Sequence, residues 1–423
     1  MKKRVVITGL GVVSPNGVGI PKFTEAIKNG VSGIQFLPKL RDLNFSCQLG
    51  ATPTISEEKK RDYLSELQLR NFNSSGILYG IIAGMDAFKD AELEPAKNDE
   101  EPLWDLGIIF GSGTSGVEKF REAIYKIDDK NVRRLGSNSV AQTMTSGVSA
   151  YLGGLIGAGN MVTANSSACA TGTEALLMGY EHIANGKATY MLCGSTSDQG
   201  PYIWGGFDAM KVTTYKYNDS PEKVAGPMSA DASGFVPGSG AGAYLLESLE
   251  SAQKRGATIY AEILGGAINN GGQRGGGSMT APNSLAIQKC ITSALKNANI
   301  SASEIDYING HLTATIKDPE EIENWCIALN RKGADFPYIN SLKGMVGHCL
   351  AASGSIEIVS AILQLYEGFI FPNTNCENLH PKIASLVSQE KISMKTLKNP
   401  LQTIVKASFG FGDVNACAIF KKI

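Results

Sequence analysis

Apolar positions along the chain fall into short runs that alternate with stretches of helical period. The runs "RVVITGLGVV", "LGIIFGSG", "NMVTANSS", "TYMLCGST" and "GAGAYLLES" are bounded by Gly, Ser and Asn, which predicts strands. So do "TIYAEILGGAI", "DYINGHLT", "PYINSLKG" and the closing "QTIVKASFGFGDVNACAIFKK". Apolar residues recur at helical spacing over 76–90, 115–126, 172–185, 248–255, 284–298, 319–330 and 354–367. Strands alternating with helices predict an α/β fold. A seam is expected near "AQKRGATIY", where one helical run stops at Gly256, dividing the chain into 1–255 and 256–423. Each half carries a strand, then a turn bearing a cysteine or a histidine, then a late pair of strands rich in small residues. This suggests an internal duplication.

Composition narrows the field. The 423 residues are 43% hydrophobic, with a formal net charge of -1. That is enough apolar material for more than one core, and the neutral balance argues against a nucleic-acid binder. No stretch approaches the ~20 apolar residues of a membrane helix. The opening "MKKRVVITGLGVVSP" mimics a signal peptide but reads better as a strand and turn, with no small-residue cleavage site after it; a cytoplasmic protein is expected. The glycine-rich stretches "GLGVVS", "GSGTSG" and "GGQRGGGS" fit neither the dinucleotide fingerprint nor a phosphate loop. They are read as places where backbone approaches backbone.

Eight cysteines occur, none in a C-x-x-C pair or at zinc-ligand spacing, so no metal site is expected. Cys169, in "ANSSACATGTEALLMGYEHIANGK", stands apart. It falls on a strand-to-helix turn, among Ala168, Ala170 and Gly172. The N–H groups and positive dipole end of the following helix favour a thiolate there, and such a turn exposes its side chain. On this local pattern Cys169 is as well read as a buried structural thiol as a nucleophile. Of four histidines, His182 and His380 read as surface residues. His311 and His348 both sit on turns after strands, where α/β proteins place their chemistry.

The ordered set "RVVITGLGVVSPNG", "SSACATGTEAL", "GFVPGSGAGAYLLE", "INGHLTAT", "SLKGMVGHCLAASGSIE" and "SFGFGDVNA" resembles the elongating β-ketoacyl-acyl-carrier-protein synthases. These are the ketosynthase II class of the thiolase-like condensing enzymes, and the resemblance runs from end to end. It implies a five-layered αβαβα fold built from two similar halves, and a dimer, homo- or heteromeric. It implies no bound cofactor, the acyl groups arriving on the phosphopantetheine arm of an acyl carrier protein. Cys169 would take the acyl group, and malonyl-carrier protein would lose CO2 and attack it. His311 and His348 would serve as N–H donors to the enolate. The backbone N–H groups of Cys169 and Phe411 would form the oxyanion hole, with Gly412 and Asp413 in the same gate turn. Lys343 and Glu357 would form an ion pair that fixes His348. Glu321 would match a family acid, and Thr313 and Thr315 would shape the pocket. Thr114 would limit acyl length, Phe207 would line the acyl pocket, and Lys211 and Arg70 would meet the carrier.

The chain departs from the family pattern in several places. Leu312 stands where glycine usually follows the histidine, and the loop before Asp318 is one residue short. Ala232, Ser233 and Ser239 replace three charged residues, and Asp413 replaces a glycine of the gate. A removed charge cluster and a stiffened gate are the expected consequences, pointing to specialisation of substrate or partner; a housekeeping fatty-acid enzyme and a dedicated polyketide or polyene synthase both fit. Three other readings compete, one of them a cysteine hydrolase, for which no orienting Asn or Asp of a Cys–His dyad can be singled out. A non-catalytic, chain-length-determining partner subunit typically lacks the cysteine that this chain keeps. A degradative thiolase would need a second catalytic cysteine, for which Cys417 is badly placed.

Overall fold

The computed structural model describes residues 2–70 and 72–423. Ten strands of one large sheet are β1 (Val5–Ser14), β2 (Leu106–Ser112), β3 (Val162–Thr163), β4 (Tyr190–Ser197), β5 (Gly240–Ser248), β6 (Ala261–Asn270), β7 (Tyr307–Asn309), β8 (Tyr338–Asn340), β9 (Thr403–Gly410) and β10 (Val414–Lys421). Their order is β8-β7-β9-β10-β6-β1-β5-β4-β2-β3, and Gly17–Val18 pairs with β1 outside this path. The two halves of the sheet meet in its middle through a short antiparallel contact, Val5–Ile7 against Ala261–Ile263. Parallel pairs (β7 with β8 and β9, β2 with β3 and β4) lie at the flanks, and antiparallel pairs fill the middle.

Six helices build the layers: α1 (Ser75–Asp90), α2 (Gly147–Ile156), α3 (Thr171–Ala184), α4 (Ser284–Ala298), α5 (Asp318–Leu329) and α6 (Ser353–Glu367). Helix α1, backed by α2, covers one outer face against β1, β4 and β5. Helix α4, beside α5, covers the other against β6 and β10. Between the two parts of the sheet lie α3, touching β4 and β6, and α6, touching β5 and β9. This is the expected five-layered αβαβα order. A helix sandwiched between sheets must be apolar or small on every side. Accordingly, every residue from Ser353 to Leu365 of α6 is buried. Gly172 of α3 lets α6 come so close that a Cβ there would stand 2.3 Å from the Ser355 nitrogen.

The predicted elements recur with shifts of a few residues. The run "DYINGHLT" pairs only over Tyr307–Asn309, and "NMVTANSS" only over Val162–Thr163. In both, the chain leaves the sheet early and turns into the site. The helix Leu249–Arg255 ends on Gly256, whose φ of 68° suits a glycine at the helix end. Helices at Gly147–Ile156 and Pro201–Ala209 lack a predicted counterpart, because glycine, or proline with paired glycines, breaks their apolar pattern. The discounted "GLGVVS" is a packing feature: a Cβ at Gly11 would lie 2.0 Å from the Ala83 carbonyl oxygen on α1.

Candidate active site

Asn165, Ser167 and Ala168 shape the nucleophile turn. Ala168 adopts φ 48°, a left-handed conformation unfavourable for a residue with a Cβ. The strain is held by a network. Thr171 Oγ1 donates to the Ala168 carbonyl and accepts from the Ser167 N–H. Glu174, on the first turn of α3, accepts from Asn165 Nδ2 at 2.9 Å and from Ser167 Oγ. The turn carries Cys169 into a cavity of about 260 Å³ shared with His311, His348, Thr313, Thr315, Phe235, Phe409 and Phe411. Ligating atoms of Cys169, His311 and His348 lie within 4.8 Å of one another. The two imidazoles meet edge to face with centroids 5.6 Å apart.

Burial governs the ionisation of the groups at this site. It pushes the Cys169 thiol up to about 11. Lys343 pulls it back, as do the N–H groups of Phe411 and of Cys169 itself. The sequence argument favoured a thiolate at the start of α3. Here burial raises the thiol instead, since only 9% of the residue meets solvent. The same burial, reinforced by Lys343, holds both imidazoles well below their ordinary value, and the site is set with neutral rings.

The tautomer of one ring follows from its partners. His348 Nδ1 accepts the Leu350 N–H at 2.9 Å and lies 3.1 Å from Ser353 Oγ. In a neutral ring the proton is then on Nε2, which becomes a donor. Nδ1 of His311 is buried without a hydrogen bond, so no partner at that nitrogen fixes the ring's tautomer. Phe235 and Phe409 wall the rings, at 5.0 Å from His348 and 6.2 Å from His311.

The predicted ion pair forms: Lys343 Nζ donates to Glu357 Oε1, both side chains buried. Its task differs from the expectation. Lys343 Nζ also donates to the His311 carbonyl at 2.5 Å, and so holds the first histidine. His348 is fixed instead by Leu350, by Ser353 and by its own N–H to the Val236 carbonyl at 2.7 Å. It lies five residues after Lys343, on the far side of the Lys343–Val346 turn, which carries the ammonium toward the 311 loop. Glu321 accepts the His311 and Leu312 N–H groups, each at 2.7 Å. Burial and nearby Asp318 push it up to about 7.

The remaining predicted residues divide. Thr313 and Thr315 line the cavity, with hydroxyls 3.0 Å apart. Phe411 lines it too, and Phe207 stacks behind at 5.9 Å. Gly412 donates its N–H to the Met279 carbonyl at 2.7 Å. Asp413 is fully buried at φ 64° and accepts from the Gln273 and Asn283 N–H groups, at 2.9 and 2.8 Å. The gate turn is thus bolted to the 271–283 loop. Thr114 is exposed and does not line the cavity that holds Cys169. Lys211 and Arg70 are exposed. Leu312 is fully buried among Trp325 and Ile339, filling space that a glycine would leave empty. Ser233 bonds Thr214 at 2.7 Å, and Ser239 is fully buried. Cys417 is buried in β10 outside the cavity. The other two histidines are half-buried and bonded: His182 Nε2 to Asn160 at 2.9 Å, and His380 Nδ1 accepting the Lys382 N–H at 3.2 Å.

Three residues escaped the sequence reading. Asp318 is buried and caps the N–H groups of Met228, Thr313 and Ala314. Glu174 braces the nucleophile turn. Lys406 is fully buried, its Nζ 2.9 Å from Glu357 Oε2. A lysine inside the apolar strand "TIVKASFG" was the available signal for the last.

A cysteine on a strained strand-to-helix turn, facing two neutral imidazoles within a five-layered thiolase-like fold, defines the class of thiolase-like condensing enzymes. Residues 2–252 match the family described as "Beta-ketoacyl synthase, N-terminal domain", and residues 260–377 match "Beta-ketoacyl synthase, C-terminal domain". The chain belongs to the β-ketoacyl synthase family and is a decarboxylating condensing acyltransferase. It is 32% identical to the 3-oxoacyl-[acyl-carrier-protein] synthase 1 of Escherichia coli K12, over 100% of this chain and 99% of that one. It is 31% identical to the chloroplastic synthase I of Arabidopsis thaliana, over 99% of this chain and 86% of that one. Among solved structures it is similar to a β-ketoacyl synthase from Burkholderia phymatum, with TM-score 0.88 and 28% identity, each chain covered in full. It is also similar to a type II PKS ketosynthase, AntDE, solved with its acyl-carrier protein AntF, with TM-score 0.87, 28% identity and full coverage of both chains.

Proposed function

We propose that the chain extends an acyl group by two carbons, taking both substrates from acyl carrier protein, in fatty-acid or polyketide synthesis. The convergence of Cys169, His311 and His348 carries this reading. The Cys169 sulfur attacks the incoming thioester carbonyl. The carrier's C–S bond breaks, and the thiol proton passes by way of a neutral imidazole to the departing sulfur. The oxyanion formed meanwhile points at the Cys169 and Phe411 N–H groups. Malonyl thioester then enters. Its bond to the carboxylate breaks, CO2 leaves, and the electron pair moves to an enolate oxygen. That oxygen accepts the Nε2–H of His348 and an N–H of His311. The carbanion carbon attacks the acyl carbonyl, the S–C bond breaks, and Cys169 leaves as a thiolate that regains its proton from solvent.

No bound cofactor takes part in this scheme, since thioester chemistry needs only a nucleophile and N–H donors. The elongating, ketosynthase II class is the reading supported by the ordered motifs. The two halves, 1–255 and 256–423, supply the cysteine and the histidines respectively. Lys211 and Arg70 offer exposed cations to an acidic carrier, in a cytoplasmic protein; no helix among the described residues is long and apolar enough to cross a membrane. The chain is read as one subunit of a dimer, homo- or heteromeric. Apolar side chains stand exposed on Val117–Asp128 and the segment after it, Phe120 at 57% and Val140 at 73%, close in sequence to the open edge strand β3.

The test is mass spectrometry of the Cys169 peptide after incubation with acyl carrier proteins of several chain lengths. An acyl mass shift is expected, lost in Cys169→Ala, with malonyl decarboxylation kept. No shift with any acyl chain, with or without partner subunits, would assign the chain to the non-catalytic, chain-length-determining class.

A further inference from the structure

Glu357 sits between two lysines. Lys343 holds Oε1 from the turn before His348, and Lys406 holds Oε2 from β9 at 2.9 Å. Lys406 has no solvent exposure, and its Nζ also reaches the Ala407 carbonyl and Ser408 Oγ, the latter at 3.2 Å. Ser408 Oγ in turn lies 2.9 Å from Thr173 Oγ1 on the first turn of α3. One side chain therefore connects the helix of Glu357, the strand that feeds the oxyanion turn and the helix that follows the nucleophile. A fully buried lysine is costly, and Lys343 alone already gives Glu357 a buried cation. A second buried cation calls for a task beyond neutralising that carboxylate.

Resting on the condensing reading above, we propose that Lys406 is a positioning residue of the site: it clamps Glu357 from the side opposite Lys343 and stations a second cation behind His311 and His348. Both rings must donate an N–H to the enolate oxygen, and a ring that picks up a proton from solvent changes the charge at that oxygen before malonyl arrives. The groups facing the rings are Lys343, Lys406, Glu357 and Cys169, with Glu321 and Asp318 from α5. The cations disfavour protonated rings and the carboxylates oppose them, and both imidazoles are lowered with Lys406 among the causes. Burial also lowers the lysine itself.

The test labels the full chain with 13Cε1-histidine and follows its four imidazole signals by NMR from pH 8 to 5, assigned with single histidine variants. In the wild type, His311 and His348 should hold one shift across the range. In Lys406→Met at least one of them should begin to titrate, its midpoint higher by about half to one unit, while Lys406→Arg restores the flat response. The acid limb of malonyl decarboxylation should move up with it, lowering kcat more than KM changes. Lys406→Gln keeps a donor toward Glu357 and Ser408 and takes over if the methionine variant does not fold. Identical titrations in wild type and variant would overturn the proposal. So would a pattern in which only Lys406→Arg folds, since the charge would then serve the fold alone. The NMR signal needs no acyl transfer, so this result stands apart from success or failure of the condensing assay.

Discussion

At the residue scale the site is a contest between burial and charge, and burial wins at the sulfur. With the Cys169 thiol pushed up to about 11, its alkylation by iodoacetamide should keep accelerating above pH 9, where an ordinary thiol has already levelled off. A plateau near pH 8.5 would show that the start of α3 outweighs desolvation after all. The imidazoles give a second prediction. Folded, both sit well below 6.5. As pH falls through 6.5 the unfolded chain takes up protons that the folded chain refuses. The stability they support is therefore complete above pH 6.5 and drains away below it, by up to about 1.4 kcal/mol per pH unit per ring. Chemical denaturation at pH 7 and pH 5.5 should show this loss, and His311→Asn should remove part of it. Much of this scale was legible in the chain: the turns marked Cys169, His311 and His348 as candidates, and the ordered motifs around them supplied their roles. Asp318 and Lys406 were not, since a lone aspartate or lysine announces burial only through what surrounds it.

At the element scale the site is a meeting of chain turns at strand ends. The strand runs at 307 and 338 stop after three residues, and their continuations swing His311 and His348 over the nucleophile. Asp413 shows how a departure from the family pattern becomes structure. Glycine gives way to a buried carboxylate that bonds two N–H groups of the 271–283 loop. Asp413→Gly should free those amides. Hydrogen exchange at Gln273 and Asn283 should speed up by at least about tenfold, as one charge-assisted bond is worth about 1.5–3 kcal/mol. Unchanged exchange at both amides would mean the gate turn is held by Gly412 and Asn270 instead. From sequence, Asp413 could be flagged as a stiffener beside the gate. Which loop it would grip was hidden, because its partners lie 130 and 140 positions away.

At the scale of the whole molecule, one sheet joins the cysteine-bearing and histidine-bearing parts through only three pairs, Val5–Ile7 with Ala261–Ile263. Helices α3 and α6 between the layers supply most of the remaining contact. The opposite end of the sheet stops at β3, two residues long, with Val162 38% exposed. An open edge of this kind beside exposed apolar residues invites a second chain. Light scattering on the purified protein should give twice the chain mass. Val162→Lys together with Val140→Glu should shift it toward monomer, with acyl loading reduced; a monomeric wild type that loads acyl groups normally would refute this.

The chain by itself determined the alternation of strands and helices, the turn that presents Cys169, the two histidine turns and the family to which they belong. These are local matters, written in periodicity and in small residues at turns, and short stretches carry them whole. Only the tertiary structure decided which carbonyl Lys343 holds, which nitrogen of His348 carries the proton, that Glu357 has two cations, and that burial raises the thiol. Each depends on distances between segments far apart in sequence, and on how completely water is expelled when the two parts of the sheet close over α3 and α6.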